Sequence, residues 1–200
     1  MKTEVFFDIE TKKLFEEIDS QNPADLGVSI VSVYIRQLND DLSEVDGKMF
    51  SFWESDFPKM WDLFSKADRI IGFNSLGFDV PALAPLSPLN FFKLPHFDLM
   101  DKAKQSLGFR LSLDAIAKES LGRGKSDVGT NAVIYWKEGS HDSLEKLRKY
   151  CEMDVKVTRD VYDYGLKNGH LKYKDKWNTP RTFPVDFFYP PSKEKQIGLF

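Results

Sequence analysis

The stretch Val5-Phe6-Phe7-Asp8-Ile9-Glu10 constrains the fold more than any other part of the chain. It is short, aromatic and β-branched, and its apolar residues fall at both odd and even positions. It therefore reads as a strand over Glu4 to Glu10 that is buried on both faces. Two carboxylates interrupt it. Period-two alternation turns Asp8 and Glu10 to the same side, and two like charges beside such an apolar run are costly unless a cation joins them. Taken alone, a D-x-E at a strand end is better explained by two exposed acids.

The rest of the chain supplies layers for that strand. Residues 28–35, 48–53 and 69–73 read as further strands, and 97–100 as a fifth. Phe57, Met60, Trp61 and Phe64 recur at helical spacing. Leu113, Ile116, Ala117 and Leu121 form one side of an amphipathic segment over 111–121, with Gly122 placed as a stop. Residues 122–139 hold four glycines and read as the longest loop. Asp142 followed by Glu145 resembles a capping box opening a long helix through about Tyr164. From Trp177 onward, Pro180, Pro184, Pro190 and Pro191 forbid long helices and predict an extended arm. Strands followed by strand and helix alternation indicate an α/β layer fold. We expect a main domain over 1–175 and a Pro-containing arm over 176–200.

Composition removes whole classes. With 200 residues, 42% of them hydrophobic, 14% aromatic and 30% charged, the chain suits one packed domain at roughly 100 to 200 residues per domain. No stretch reaches the ~20 apolar residues of a membrane span, and the opening MKTEVFFDIE is too acidic for a signal peptide. A cytoplasmic protein is expected. Cys151 is the single cysteine, and His96, His141 and His170 form no recognisable zinc set with it. The net charge is −3, but from Gly165 onward seven Lys or Arg stand against three acids, a balance of +4. Residues 1–164 thus carry −7, the difference between −3 and +4. The acidic body could hold cations or merely be solvated.

Other carboxylates lie in apolar settings. Asp79 follows a strand and a short turn. Tyr150 and Asp154 are four apart on the long helix, hence on one face, beside Leu147, Cys151 and Val155. Four carboxylates from three segments suit hard divalent ions. A pair of such ions can activate water and steady the leaving oxygen of a phosphodiester. Two divalent cations would take the formal charge from −3 to +1, so an acidic protein could then accept a polyanion. Competing motifs fail. Gly124-Lys125-Ser126 lacks the first glycine of a phosphate loop, because position 119 is Glu119. Ser75 lacks the nucleophile-elbow spacing and a nearby histidine. Arg123 and Lys125 could meet substrate phosphates or simply be solvated.

At these residues a family resemblance becomes specific. FFDIET, IIGFNSLGFDVPAL and YCEMDVKVTRDVY resemble the three exonuclease motifs of the DEDD superfamily, in the form seen in the proofreading domain of family-B DNA polymerases and its stand-alone relatives. The middle motif has Gly72, Asn74, Phe78, Asp79 and Pro81 in a G-x-N-x-x-x-F-D-x-P frame. LSLDAIAKESLG resembles the segment preceding the third motif. Position 149 is Lys149 and position 150 is Tyr150, the tyrosine form of the third motif. The resemblance implies a ribonuclease-H-like mixed β-sheet flanked by helices and a metal-dependent 3′-to-5′ exonuclease releasing nucleoside 5′-monophosphates from DNA ends, single-stranded above all, in replication or repair. It implies two divalent cations, Mg²⁺ or Mn²⁺, with Asp8 shared between them, Glu10 and Asp154 holding one and Asp79 supporting the other. Tyr150 would orient the attacking water. Thr11 and Leu14 match positions that cradle the terminal nucleotide, and Asn74 and Phe78 fall at substrate positions.

The final residues Gln196, Ile197, Gly198, Leu199 and Phe200 resemble the pentapeptide by which bacterial replication and repair proteins dock on the sliding clamp, with Ile197 in place of Leu. The tail's rings alternate with bases at Tyr173, Lys174, Trp177, Arg181 and Phe183, a pattern that fits either base stacking or packing on the domain, and packing is the expectation here. The alternatives to a deoxyribonuclease are an exoribonuclease of the same superfamily and a non-catalytic adaptor for DNA ends or the clamp.

Overall fold

The computed structural model describes residues 1–123 and 131–189. Its centre is a five-stranded sheet in the order β3-β2-β1-β4-β5, with β1 at Lys2–Thr11, β2 at Val28–Leu38, β3 at Glu44–Trp53, β4 at Arg69–Gly72 and β5 at His96–Asp98. β1 pairs antiparallel with β2 and parallel with β4. β2 pairs antiparallel with β3, and β4 parallel with β5. This is the expected mixed sheet. The helices are α1 (Phe57–Ser65), α2 (Asp79–Leu83), α3 (Leu99–Leu107), α4 (Leu113–Leu121), α5 (Asn131–Glu138) and α6 (His141–Asn168). A hairpin of β6 (His170–Lys174) and β7 (Pro180–Pro184) forms a second, two-stranded sheet. Among the described residues no helix is long and apolar enough to cross a membrane.

The alternation along β1 sorts the molecule into two cores. Val5, Phe7 and Ile9 pack with Met60, Trp61 and Phe64 of α1. Phe6, on the other face, packs with Val155, Val161 and Tyr162 of α6 and with Phe97. Burying each large apolar side chain contributes about 2 kcal/mol. β1 is thus held from both sides, and its even-numbered residues, including Asp8 and Glu10, share the face that Phe6 turns to α6.

Several local readings change. Residues 122–139 are not all loop, because Asn131–Glu138 is helical; the glycines that suggested a loop bracket this helix and none interrupts it, Gly139 ending it with φ 62°. The long helix is capped by Ser140, whose hydroxyl accepts the Ser143 N–H, and not by Asp142; it runs on to Asn168, where Gly169 stops it in the left-handed region. The fifth strand ends at Asp98, because the Asp98 carboxylate accepts the N–H groups of Met100 and Asp101 and so opens α3. Sequence periodicity did not predict α3. Ser112 caps α4, and Gly122 terminates it as expected.

The segment after α6 is extended but packed. The expected boundary after Asp175 falls in the turn between β6 and β7, and Phe183, Val185 and Phe187 are buried. β7 tolerates its prolines because Pro180 and Pro184 sit at its two ends. Arg69 donates to the carbonyls of Phe187 and Phe188. Tyr189 hydrogen-bonds Glu4. Residues 190–200, with the clamp-like pentapeptide, lie outside the described residues, as do Gly124, Lys125 and Ser126.

Candidate metal centre

β1, α2 and α6 each bring an acid to one place. Asp8 and Glu10 follow the alternation of β1, and a ligand oxygen of each lies within 4.8 Å of the other and of the Cys151 sulfur. Cys151 is fully buried on α6, and its thiol donates to the Asp8 carbonyl at 3.4 Å, with Oδ2 of Asp8 at 3.9 Å. The antiparallel run of α6 past β1 therefore sets Cys151 against Asp8. It also brings Tyr150 to the same two acids, with Asp154, its neighbour on the helix, facing Tyr150 and Asp79.

The electrostatics record the crowding. Burial raises the Tyr150 hydroxyl pKa far above that of a free phenol, and the charges of Asp154, Glu10 and Asp8 push it further in the same direction. Burial likewise raises the Cys151 thiol, with Asp8 and Glu10 adding to it. Asp79 is pushed up to about 7, first by burial and then by the carboxylates of Asp98 and Asp154, against hydrogen bonds from the Asp79 and Ile9 amides. Asp154 is itself 95% buried. Carboxylates drawn together from three elements, one of them driven towards its neutral form, make an oxygen-rich donor set that suits a hard divalent cation and no soft one. The residues present fit such an ion.

The loop before Asp79 is built to present it. Gly72 ends β4, and a Cβ there would lie 2.5 Å from the Ser75 Cβ. Asn74 takes φ +61°, a conformation Asn tolerates better than most residues. Its N–H donates to Oδ1 of Asp98 and the Leu76 N–H to Oδ2, each at 2.9 Å. The same carboxylate caps α3, so four backbone amides converge on it. Sequence reasoning missed Asp98. The signal was present in Asp98-Leu99-Met100-Asp101, an N-cap residue followed by an acidic first turn.

Thr11 follows a break in register after Glu10, and its hydroxyl donates to the Lys13 carbonyl at 2.9 Å. Leu14 is exposed, and its N–H donates to Glu17 at 2.9 Å. The next residue, Phe15, meets Phe78 edge to face at 6.1 Å, so the Leu14 and Phe78 segments adjoin. Arg123 is ion-paired with Asp160.

The sequence matches the RNase H superfamily over residues 5–165. The chain belongs to that superfamily. Among solved structures, the family B DNA polymerase from the hyperthermophilic archaeon Pyrobaculum calidifontis is similar to it, with a TM-score of 0.60 and 20% identity. That match covers 83% of this chain and 25% of the polymerase, so this RNase H superfamily chain spans about a quarter of the polymerase's length. No match was found among curated proteins.

Proposed function

We propose that this RNase H superfamily protein is a metal-dependent 3′-to-5′ exonuclease acting on DNA ends, in replication or repair, with single-stranded ends preferred. What supports the reading is a chain of acidic neighbours: Asp8 and Glu10 within 4.8 Å of each other, Tyr150 in the field of both and of Asp154, and Asp154 in turn acting on Asp79. Asp8, Glu10, Asp79 and Asp154 would hold two Mg²⁺ or Mn²⁺ ions, Asp8 serving both. Bound there, the ions would supply an activated water and a charge partner for the departing 3′ oxygen. Tyr150, with its proton held tightly by burial and neighbouring negative charge, stays a neutral phenol at physiological pH. It orients water by hydrogen bonding and does not remove its proton. Asn74, Phe78, Thr11 and Leu14 are proposed to seat the terminal nucleotide.

The test is a time course on a 5′-labelled single-stranded DNA, with Mg²⁺ or Mn²⁺, beside EDTA and an Asp154→Ala variant. A ladder shortening from the 3′ end and lost in both controls is expected; no cleavage with either metal, on DNA or RNA, single-stranded or duplex, would overturn the reading. Faster cleavage of a matched RNA would make it an exoribonuclease. We further propose that Gln196, Ile197, Leu199 and Phe200 dock on the bacterial sliding clamp, with Ile197, Leu199 and Phe200 entering an apolar groove as an extended peptide. Deleting 196–200 should abolish clamp binding and spare oligonucleotide cleavage, and binding that survives the deletion would refute the docking.

A further inference from the structure

The turn of the β6–β7 hairpin carries one aromatic ring, Trp177, that the core does not absorb. Tyr173 packs edge to face on Phe183 and on Phe109, and Phe183 is buried, so these rings pack on the domain as expected. Trp177 does not. It is 71% exposed and Phe109 is 46% exposed. With Leu111 they line a pocket of about 540 Å³ bordered by Lys174, Lys176 and Arg181 against the single carboxylate of Asp175.

The turn is internally braced. Oδ1 of Asp175 accepts the N–H groups of Trp177 and Thr179, and Oδ2 accepts from Nε of Arg181 at 2.9 Å. Asp175 is thus occupied in fixing the backbone beneath Trp177. Lys174 reaches Glu119 at 3.1 Å, while Lys176 lies over the Trp177 ring at 4.4 Å.

In a chain of net charge −3, a pocket combining exposed rings with three cations is complementary to an anion that carries flat rings of its own. Single-stranded nucleic acid meets both demands, because its bases are free to stack and its phosphates lie beside them. A duplex keeps its bases stacked internally and offers only the phosphates. The pocket is also remote from the acidic centre. α3, capped by Asp98 beside that centre, ends at Leu107, two residues before Phe109, and its nine residues span about 14 Å. Only a strand that extends beyond its terminal nucleotides can occupy both.

We propose that this pocket is an accessory binding site for single-stranded nucleic acid, which stacks a base on Trp177 and sets the adjoining phosphates against Lys176 and Arg181. The choice of ligand rests on the nuclease reading, and the test separates the two.

Binding is read first, without cleavage, by fluorescence anisotropy of a labelled oligothymidylate of about 25 nucleotides in EDTA. Trp177→Ala should weaken binding about tenfold and Trp177→Phe should restore most of it. Lys176→Ala should lower the salt slope by about one, while Lys59→Ala, on α1, leaves both unchanged. The melting temperature of Trp177→Ala should match that of the parent, since the ring is mostly in solvent. Equal affinity in Trp177→Ala and the parent would overturn the site, as would binding a duplex of the same length as tightly or competition by polyglutamate as effective as by oligonucleotide. Cleavage is read second: Trp177→Ala should raise KM for the long strand about tenfold and leave a tetranucleotide unaffected. A protein that cleaves nothing but binds through Trp177 would sink the nuclease reading alone, whereas cleavage with identical KM values would sink the accessory site alone.

Discussion

Asp79 is a carboxylate whose surroundings disfavour its charge, and the consequence is a pH dependence that can be worked out in sign. Its pKa is raised from 3.8 to about 7 in the folded state, so between those values the folded chain holds a proton that the unfolded chain has released. The stabilisation from this group is complete below about 4 and is lost as pH rises through about 7. In EDTA the melting temperature should therefore fall between pH 5 and pH 8. Asp79→Asn should flatten the fall, and Mg²⁺ or Mn²⁺ should reverse it at pH 8; a metal-free protein equally stable at both pH values would contradict the assignment. Asp98 matters through its hydrogen bonds, as an acceptor for backbone amides from two segments. Asp98→Ala leaves the amides of Asn74, Leu76, Met100 and Asp101 without their acceptor and should cost about 3 kcal/mol in urea unfolding. It should also lower cleavage, because the loop that carries Asp79 loosens.

Among the elements, β1 and α6 were the most legible in the sequence, because each has a long periodic pattern that tertiary contacts reinforce. The acids and Tyr150 were readable for the same reason: two fixed periodicities place Asp8 with Glu10 and Tyr150 with Asp154. What could not be read was decided by contacts between distant residues. The role of Asp98 is one case, since beyond its local cap on α3 it holds the loop after β4 through Asn74 and Leu76; α5, by contrast, was hidden by glycines that border it. The Phe187 ring, far along in sequence, closes on the last two turns of α6, against Tyr162 and Gly165. Gly165 on α6 is a further case. A helix interior favours Ala over Gly by about 1 kcal/mol, yet a Cβ at 165 would run into the Phe187 ring and lie 3.1 Å from Leu171. Gly165→Ala should therefore destabilise the protein by about 1 to 3 kcal/mol, measured by denaturant unfolding, against the sign that helix propensity alone gives.

Across the whole molecule, a buried polar network ties early chain to late. Glu4 is fully buried. It pairs with Arg36 at 2.7 Å and accepts from the Tyr162 hydroxyl at 2.7 Å and from Tyr189. Arg36 also reaches Asp163 at 2.7 Å. Arg69 binds Tyr162 at 2.8 Å and two carbonyls of the final described segment. Each ion is compensated only while all members are present, and a buried charge that loses its partner is strongly destabilising. Comparing a chain that stops at Pro184 with one that stops at Tyr189 isolates the segment between them. The shorter should melt about 10 °C lower, through loss of the Phe187 ring and of the Arg69 acceptors, and equal melting temperatures would show that this segment contributes nothing.

The same network sets an order on synthesis. Glu4 leaves the ribosome long before Tyr162 and Tyr189, and β1 long before α6. A growing chain therefore exposes its first strand, with its acids apart from Asp154, until α6 has been made. Assembly of the acidic centre is thereby a late event, and no shortened product that ends before α6 contains it.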